Sequence, residues 1–166
     1  VASRGLGDVY KRQILLYTNG GHSGTLTMSR NIASFIGAGG GFVSSTFYWN
    51  VRAGSWPTTI SPWNYSGVGQ GSAVLNMTFS PNSHPILIGI TQTALSNGIS
   101  MALNLVTTLM PGATNIASYS TYPAIAVGTS GSARLVGVNY FPPYISSPYY
   151  GAPVVANSIL WAAKII

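Results

Sequence analysis

Residues Asn31–Phe47, NIASFIGAGGGFVSSTF, constrain this chain more than any other stretch. Together with Met28, the apolar residues Ile32, Phe35 and Ile36 fall on one stripe of a 3.6-residue helix. Ser23 or Thr25 offers a hydroxyl to the free N–H groups at its start. Gly37, Gly39, Gly40 and Gly41 end it, because glycine enters the left-handed conformation without strain. Phe42 and Val43 then open an extended run to Phe47. Upstream, ILLYT (Ile14–Thr18) has the length of a buried strand. Strand, helix and strand within about 35 residues predict a parallel βαβ crossover of the usual hand.

The chain has 166 residues, the size of one domain with a real core. Only 5% of its residues are charged, against about 25% in an ordinary domain. The polar mass is Ser, Thr, Asn, Gly and Tyr, and the mean hydropathy is +0.32, so the chain is not of the disordered class. Pro85–Met110 is uncharged, but Gln92, Asn97, Gly98, Ser100 and Asn104 interrupt it, and no membrane span is predicted. Having no cysteine, the chain lacks disulfides, thiol nucleophiles and thiolate metal sites. Its net charge of +6 comes from scattered basic residues and absent acids, not from a Lys/Arg stripe, so no nucleic-acid partner is expected.

Val1–Gln13, VASRGLGDVYKRQ, differs in kind from the rest of the chain. It holds Arg4, Lys11, Arg12 and the sole acid, Asp8. Without it, four basic side chains and no carboxylate side chain remain, a formal charge of +4. The stretch resembles a translated sequencing adapter and is expected to be non-native. The domain proper is then residues 14–166, expected to be truncated at its N-terminus and to belong to a longer chain with other domains.

Further along, Tyr48–Gly71 reads as a long loop rich in Gly, Pro, Ser and aromatics, the kind that covers a site. Ala73–Phe79 reads as one strand, PNSHP (Pro81–Pro85) as a turn, and Ile86–Thr91 as a short apolar element. Strand-like runs come next at Ser100–Leu109, Asn115–Tyr119, Ala124–Val127 and Arg134–Asn139, with Gly128–Gly131 between the last two. Pro142 and Pro143 stop the final strand. Gly151–Lys164 reads as a closing helix, with Val155 and Ile159 at helical spacing and Pro153 tolerated in its first turn.

Five stretches now occur in order: IASFIGAGGGFVSSTF, SHPILIGIT, PGATNIASYSTYPAIAV, ARLVGVNYFPP and GAPVVANSILWAA. This ordered set resembles the class I glutamine amidotransferase-like superfamily, near its ThuA-like (trehalose-utilisation-like) branch, over about residues 14 to 164. The resemblance implies a flavodoxin-like, three-layer α/β sandwich with a mostly parallel sheet. It also implies a cysteine nucleophile, paired with His and Glu, at the turn after the strand that follows the glycines. Ser45 or Thr46 stands in that region here, and no Asp or Glu follows residue 13, so amidotransferase chemistry is not expected.

A serine or threonine nucleophile needs a base within hydrogen-bond reach. Ser45 or Thr46 with His22 is the candidate arrangement; His22 follows the first strand, on the edge where open α/β sheets bind ligands. His84, the other histidine, sits in a His-Pro turn and reads as structural. Glycosidase pairs and carboxylate metal sites fail for want of carboxylates, and no cofactor is expected. Gly37–Gly41 follow a helix instead of preceding one, so they present its C-terminal end, which repels phosphate.

Trp49, Trp56 and Trp63 recur every seven residues in the long loop, with Tyr48 and Tyr65 nearby. They could stack on sugar rings, with Tyr144 from a second tyrosine cluster (Tyr140, Tyr144, Tyr149, Tyr150) on the same edge. Asn64 and Asn76 open Asn-x-Ser/Thr sequons. Low charge and abundant Ser, Thr, Asn and Tyr suggest an extracellular or cell-surface protein. The expected function is a non-catalytic or degenerate amidotransferase-like domain that binds a neutral small molecule or glycan, or serves structurally. The alternatives are a ThuA-like enzyme acting on a small sugar or acyl substrate through Ser45 or Thr46 and His22, and a self-assembling structural subunit.

Overall fold

The glycine-rich stretch does end a helix and begin a strand. In this computed structural model, residues 12–16, 25–45, 61–63, 70–74, 77–79, 84–90, 100–105, 108–119, 121–140 and 151–166 are described. Strand β1 (Gln13–Leu16) pairs in parallel with β2 (Gly41–Ser45), and helix α1 (Thr25–Gly37) lies between them in the chain. Gly39 adopts φ +88° after the helix. Its N–H donates to the Ile36 carbonyl at 2.8 Å, and the Gly40 N–H donates to the Phe35 carbonyl at 3.0 Å. These two bonds form a Schellman cap, which satisfies carbonyls that the helix end leaves free. β1 begins at Gln13, one residue before the boundary that composition draws, and the Gly41 N–H donates to the Arg12 carbonyl.

Seven more elements are described beyond one short turn: β3 (Gln70–Val74), β4 (Met77–Phe79), β5 (Ser100–Asn104), β6 (Thr114–Tyr119), β7 (Tyr122–Ser130), β8 (Ala133–Val138) and α2 (Gly151–Ala162). The main sheet has six strands in the order β1-β2-β8-β7-β6-β4. Its β1, β2 and β8 run parallel, while the β8/β7, β7/β6 and β6/β4 pairs are antiparallel. The sheet is therefore mixed, not mostly parallel as the family resemblance implies. Connection length gives the reason. Only Ser120 and Thr121 separate β6 from β7, and only Gly131 and Ser132 separate β7 from β8. A parallel pair needs a crossover of a dozen or more residues, so these neighbours must form hairpins. Gly131 turns the second one at φ +57°. β7 itself runs on through Gly128 to Ser130, residues that composition alone places between strands.

Ala73–Phe79 is not one strand. Its first part belongs to β3, which pairs with β5 in a separate two-stranded antiparallel sheet; its last part is β4, which pairs with β6 on the main sheet. The run Ser100–Leu109 divides similarly: β5 ends at Asn104, and Leu109 makes an isolated antiparallel bridge to Trp63.

Side-chain alternation along the central strands divides the core in two. Val43, Val136, Val138, Ile125 and Val127 join one cluster with Val154 and Ala162 of α2. Phe42, Ala126, Ala133 and Leu135 join another with Ile32 and Ile36 of α1 and with Trp63. Both β2 and β8 are thus flanked by apolar clusters on both faces, which is why their sequences read as near-continuous apolar runs. Among the described residues, no helix is long and apolar enough to cross a membrane.

Candidate functional site at the carboxyl edge

Because β1, β2 and β8 are parallel, their carboxyl ends meet at one edge of the sheet, the edge where open α/β sheets bind ligands. Ser45 ends β2 there, opposite Val138 of β8, and Asn139 and Tyr140 come directly after. The end of β8 is tied down by hydrogen bonds. The Asn139 N–H donates to the Ala124 carbonyl at 2.8 Å, and its Nδ2 donates to the Pro123 carbonyl at 2.9 Å. The Tyr119 hydroxyl donates to the Asn139 carbonyl. An asparagine side chain and a tyrosine hydroxyl here do the work that further strand pairing does elsewhere in the sheet.

Two hydroxyls at this edge differ from the rest. Ser45 is 1% exposed and Tyr140 0%, and among the described residues neither Ser45 Oγ nor Tyr140 Oη has a hydrogen-bond partner. Ser44, one residue earlier, points its Oγ to the Val136 carbonyl at 3.2 Å and is accounted for by the sheet. Burial pushes the Tyr140 phenol well above the usual range. Burial does the same to Tyr119, with Tyr140 adding to it. Both phenols stay neutral and act only as hydrogen-bonding groups.

Ser45 is the only expected catalytic candidate in the described part of the chain. Thr46, His22, Trp49, Trp56 and Tyr144 lie outside the described residues. Trp63 is described and does not fit the expected role. It is fully buried, its backbone N–H donates to Ser61 Oγ at 3.0 Å, and its six-membered ring lies over Gly137 of β8. A Cβ at Gly137 would come within 2.7 Å of that ring, so the glycine makes the slot that the indole fills. A ring enclosed this way has no face for a sugar. The signal is legible in the sequence: an isolated glycine inside the strand pattern RLVGV marks a close approach.

His84 sits at the opposite end of the sheet from Ser45. It caps a short 3-10 turn (Pro85–Leu87), its Nδ1 accepting from the Ile86 N–H at 3.3 Å. Its ring centroid lies 5.1 Å from that of Trp161 near the end of α2. Arg134, at the start of β8, stacks on the same indole at 4.8 Å and donates from Nη1 to the Trp161 and Ile166 carbonyls, both at 2.8 Å. Arg134 precedes Val138 by four residues, about 13 Å along a strand. His84 is therefore no base for Ser45. Burial first, and then Arg134, lower its pKa from the ordinary value.

Two hollows in the described part lie at the other end of β2 or beside β7. One of about 340 Å³ is lined by Arg12, Phe35, Gly39, Ser132 and Lys164, and one of about 140 Å³ by Ser61, Pro62, Met110, Thr129 and Leu135. Neither includes a residue of the carboxyl edge. Among the described residues no group of three or more His, Asp or Glu gathers to hold a metal.

These features define an α/β domain with a mixed six-stranded sheet whose parallel strands end in a buried, polar edge. Solved structures of similar fold give it a narrower description. No family model matches the chain, and no curated protein does. A ThuA-like protein from Parabacteroides merdae superposes with a TM-score of 0.61 at 14% identity, covering 92% of this chain and 70% of that one. A ThuA-like protein from Bacteroides uniformis gives a TM-score of 0.59 at 8% identity, covering 91% and 69%. A cytoplasmic protein from Salmonella typhimurium gives 0.60 at 12% identity; this chain spans 59% of its length. The chain has a ThuA-like fold.

Proposed function

We propose that this chain is a ThuA-like domain of a secreted or surface protein that binds a neutral glycan at the carboxyl edge of its parallel strands and does not catalyse acyl transfer. On this reading the architecture is a flavodoxin-like three-layer sandwich, supported by the separate apolar clusters that α1 and α2 each join. The observation that carries the reading is Ser45. It stands at the end of β2, where a catalytic relative would present its nucleophile, yet it is a serine, it is buried, and its hydroxyl has no partner among the described residues. An activated nucleophile is hydrogen-bonded to its base, and the base to an orienting group. No carboxylate follows residue 13 to serve as that group. The glycan preference is supported by the sequence alone, through the aromatic residues Trp49 and Trp56 with their Ser and Asn neighbours. A glycan array probed with the folded chain, with Trp56→Ala alongside, tests this. Binding to neutral glycans that Trp56→Ala weakens is the expected result; no binding to any neutral glycan removes the carbohydrate reading.

A further inference from the structure

Helix α2 returns along the sheet face that carries Val43, Val138 and Tyr140. Its end lies at the start of β2: a Cβ on Gly41 would fall 2.3 Å from the Ala162 carbonyl oxygen. Arg134, at the start of β8, reaches the Trp161 carbonyl at 2.8 Å. From Gly41 to Ser45 the strand advances about 13 Å. Going back from Ala162, a helix covers about 13 Å in roughly nine residues, which arrives at Pro153. The first turn of α2 is therefore level with Ser45.

Among the described residues, nothing accepts from the first amides of that turn. The first amides of a helix have no acceptor within it, and Gly151 and Ala152 supply two, with Pro153 supplying none. No acidic side chain occupies the first turn to neutralise the positive end of the helix dipole. The independent observation is the pair of buried hydroxyls that have no partner among the described residues. Ser45 follows Val43 by two residues, and Tyr140 follows Val138 by two. That spacing returns a strand side chain to the same face, and on this face Val43, Val138, Tyr140 and Val154 of α2 share one cluster. A buried hydroxyl without a partner is costly, and a native chain keeps such groups where something else completes them.

We propose that the Ser45 and Tyr140 hydroxyls and the first-turn amides of α2 form a seat for a small oxyanion, a carboxylate or phosphate group. The seat would offer four donors, two hydroxyls and two amides. With no carboxylate side chain after residue 13, no acid of the domain repels the ligand. The proposal rests on Ser45, Tyr140 and the first turn of α2 and does not depend on glycan binding.

The test uses the whole chain in sodium acetate, sodium phosphate and sodium chloride at matched ionic strength and pH. A saturable rise in the unfolding midpoint with acetate or phosphate, beyond that in chloride, is expected, and the stronger of the two names the group. Ser45→Ala and Tyr140→Phe should each weaken that response about tenfold, the worth of one hydrogen bond to a charged group. In the unsubstituted chain, the Gly151 and Ala152 amide resonances should shift along the same binding curve. Equal midpoints in the three salts, a response that does not saturate, or unmoved Gly151 and Ala152 amides would each overturn the proposal. A glycan array result of either sign leaves this outcome unaffected.

Discussion

Replacing Gly137 by alanine tests the core reading of Trp63 at one atom. The added Cβ would meet the indole at 2.7, 2.8 and 2.9 Å, where ordinary contact begins near 3.4 Å. Relief requires a shift of more than half an ångström by the ring or by β8. The ring is fully buried, and β8 is central, hydrogen-bonded to β2 on one side and β7 on the other. Overpacking at such a site costs about 1–3 kcal/mol, and the rigidity of both partners argues for the upper half of that range. Trp63→Phe alone should cost about 2 kcal/mol through the space it opens. In the double variant the smaller ring vacates the space the methyl enters. The two costs should then fall short of adding by about 1 kcal/mol or more, as directly coupled sites do. Urea unfolding of the four proteins at constant m-value provides the cycle. Additivity within about 0.5 kcal/mol, or a Gly137→Ala variant as stable as the parent, would refute the packing.

The same geometry predicts the outcome of three further perturbations. Gly41→Ala drives a Cβ to 2.3 Å from the Ala162 carbonyl oxygen, a backbone atom that cannot swing aside, so a loss of at least about 3 kcal/mol is expected in urea unfolding. Tyr119→Phe removes the hydroxyl that holds the Asn139 carbonyl and should cost about 1–2 kcal/mol, whereas Tyr140→Phe removes a buried hydroxyl with no partner among the described residues and should be neutral or stabilising by about 1 kcal/mol without added ligand; the two thermal midpoints should move in opposite directions or differ clearly. His84 binds its proton more weakly in the folded chain than its ordinary value of 6.5. The stability it contributes is thus complete above that value and is lost as pH falls through it toward the lowered folded value. His84→Asn, which keeps a capping acceptor, should flatten the acid side of the stability–pH curve relative to the parent.

Local features of the fold are legible in the sequence, because local chemistry determines them. Ile32 and Ile36 lie on the buried side of α1 as their spacing requires, and Gly39 takes the positive φ that ends the helix. The parallel β1/β2 pairing comes from a strand-helix-strand order with too little chain for much else. The mixed sheet is hidden behind the family resemblance, although two short connections, Ser120–Thr121 and Gly131–Ser132, demand hairpins by their length alone. Trp63 misleads for a similar reason. Its spacing from Trp49 and Trp56 suggests a platform, while the deciding residue, Gly137, stands far along the chain. The site is the least legible part. Ser45 and Tyr140 come to one edge only because β8 inserts beside β2, and His84, Trp161 and Arg134 assemble from three separate segments. No periodicity carries such long-range pairings.

Everything functional here rests on β8 lying parallel to β2, which brings Ser45 and Tyr140 to one edge. Inter-strand nuclear Overhauser contacts in the isotope-labelled chain test this directly. A parallel pair gives contacts that advance together along both strands: Phe42 with Leu135, Val43 with Val136, Ser44 with Gly137 and Ser45 with Val138. Contacts that run the opposite way, with Phe42 near Val138 and Ser45 near Leu135, would contradict it, because Ser45 and Tyr140 would then stand at opposite ends of the sheet.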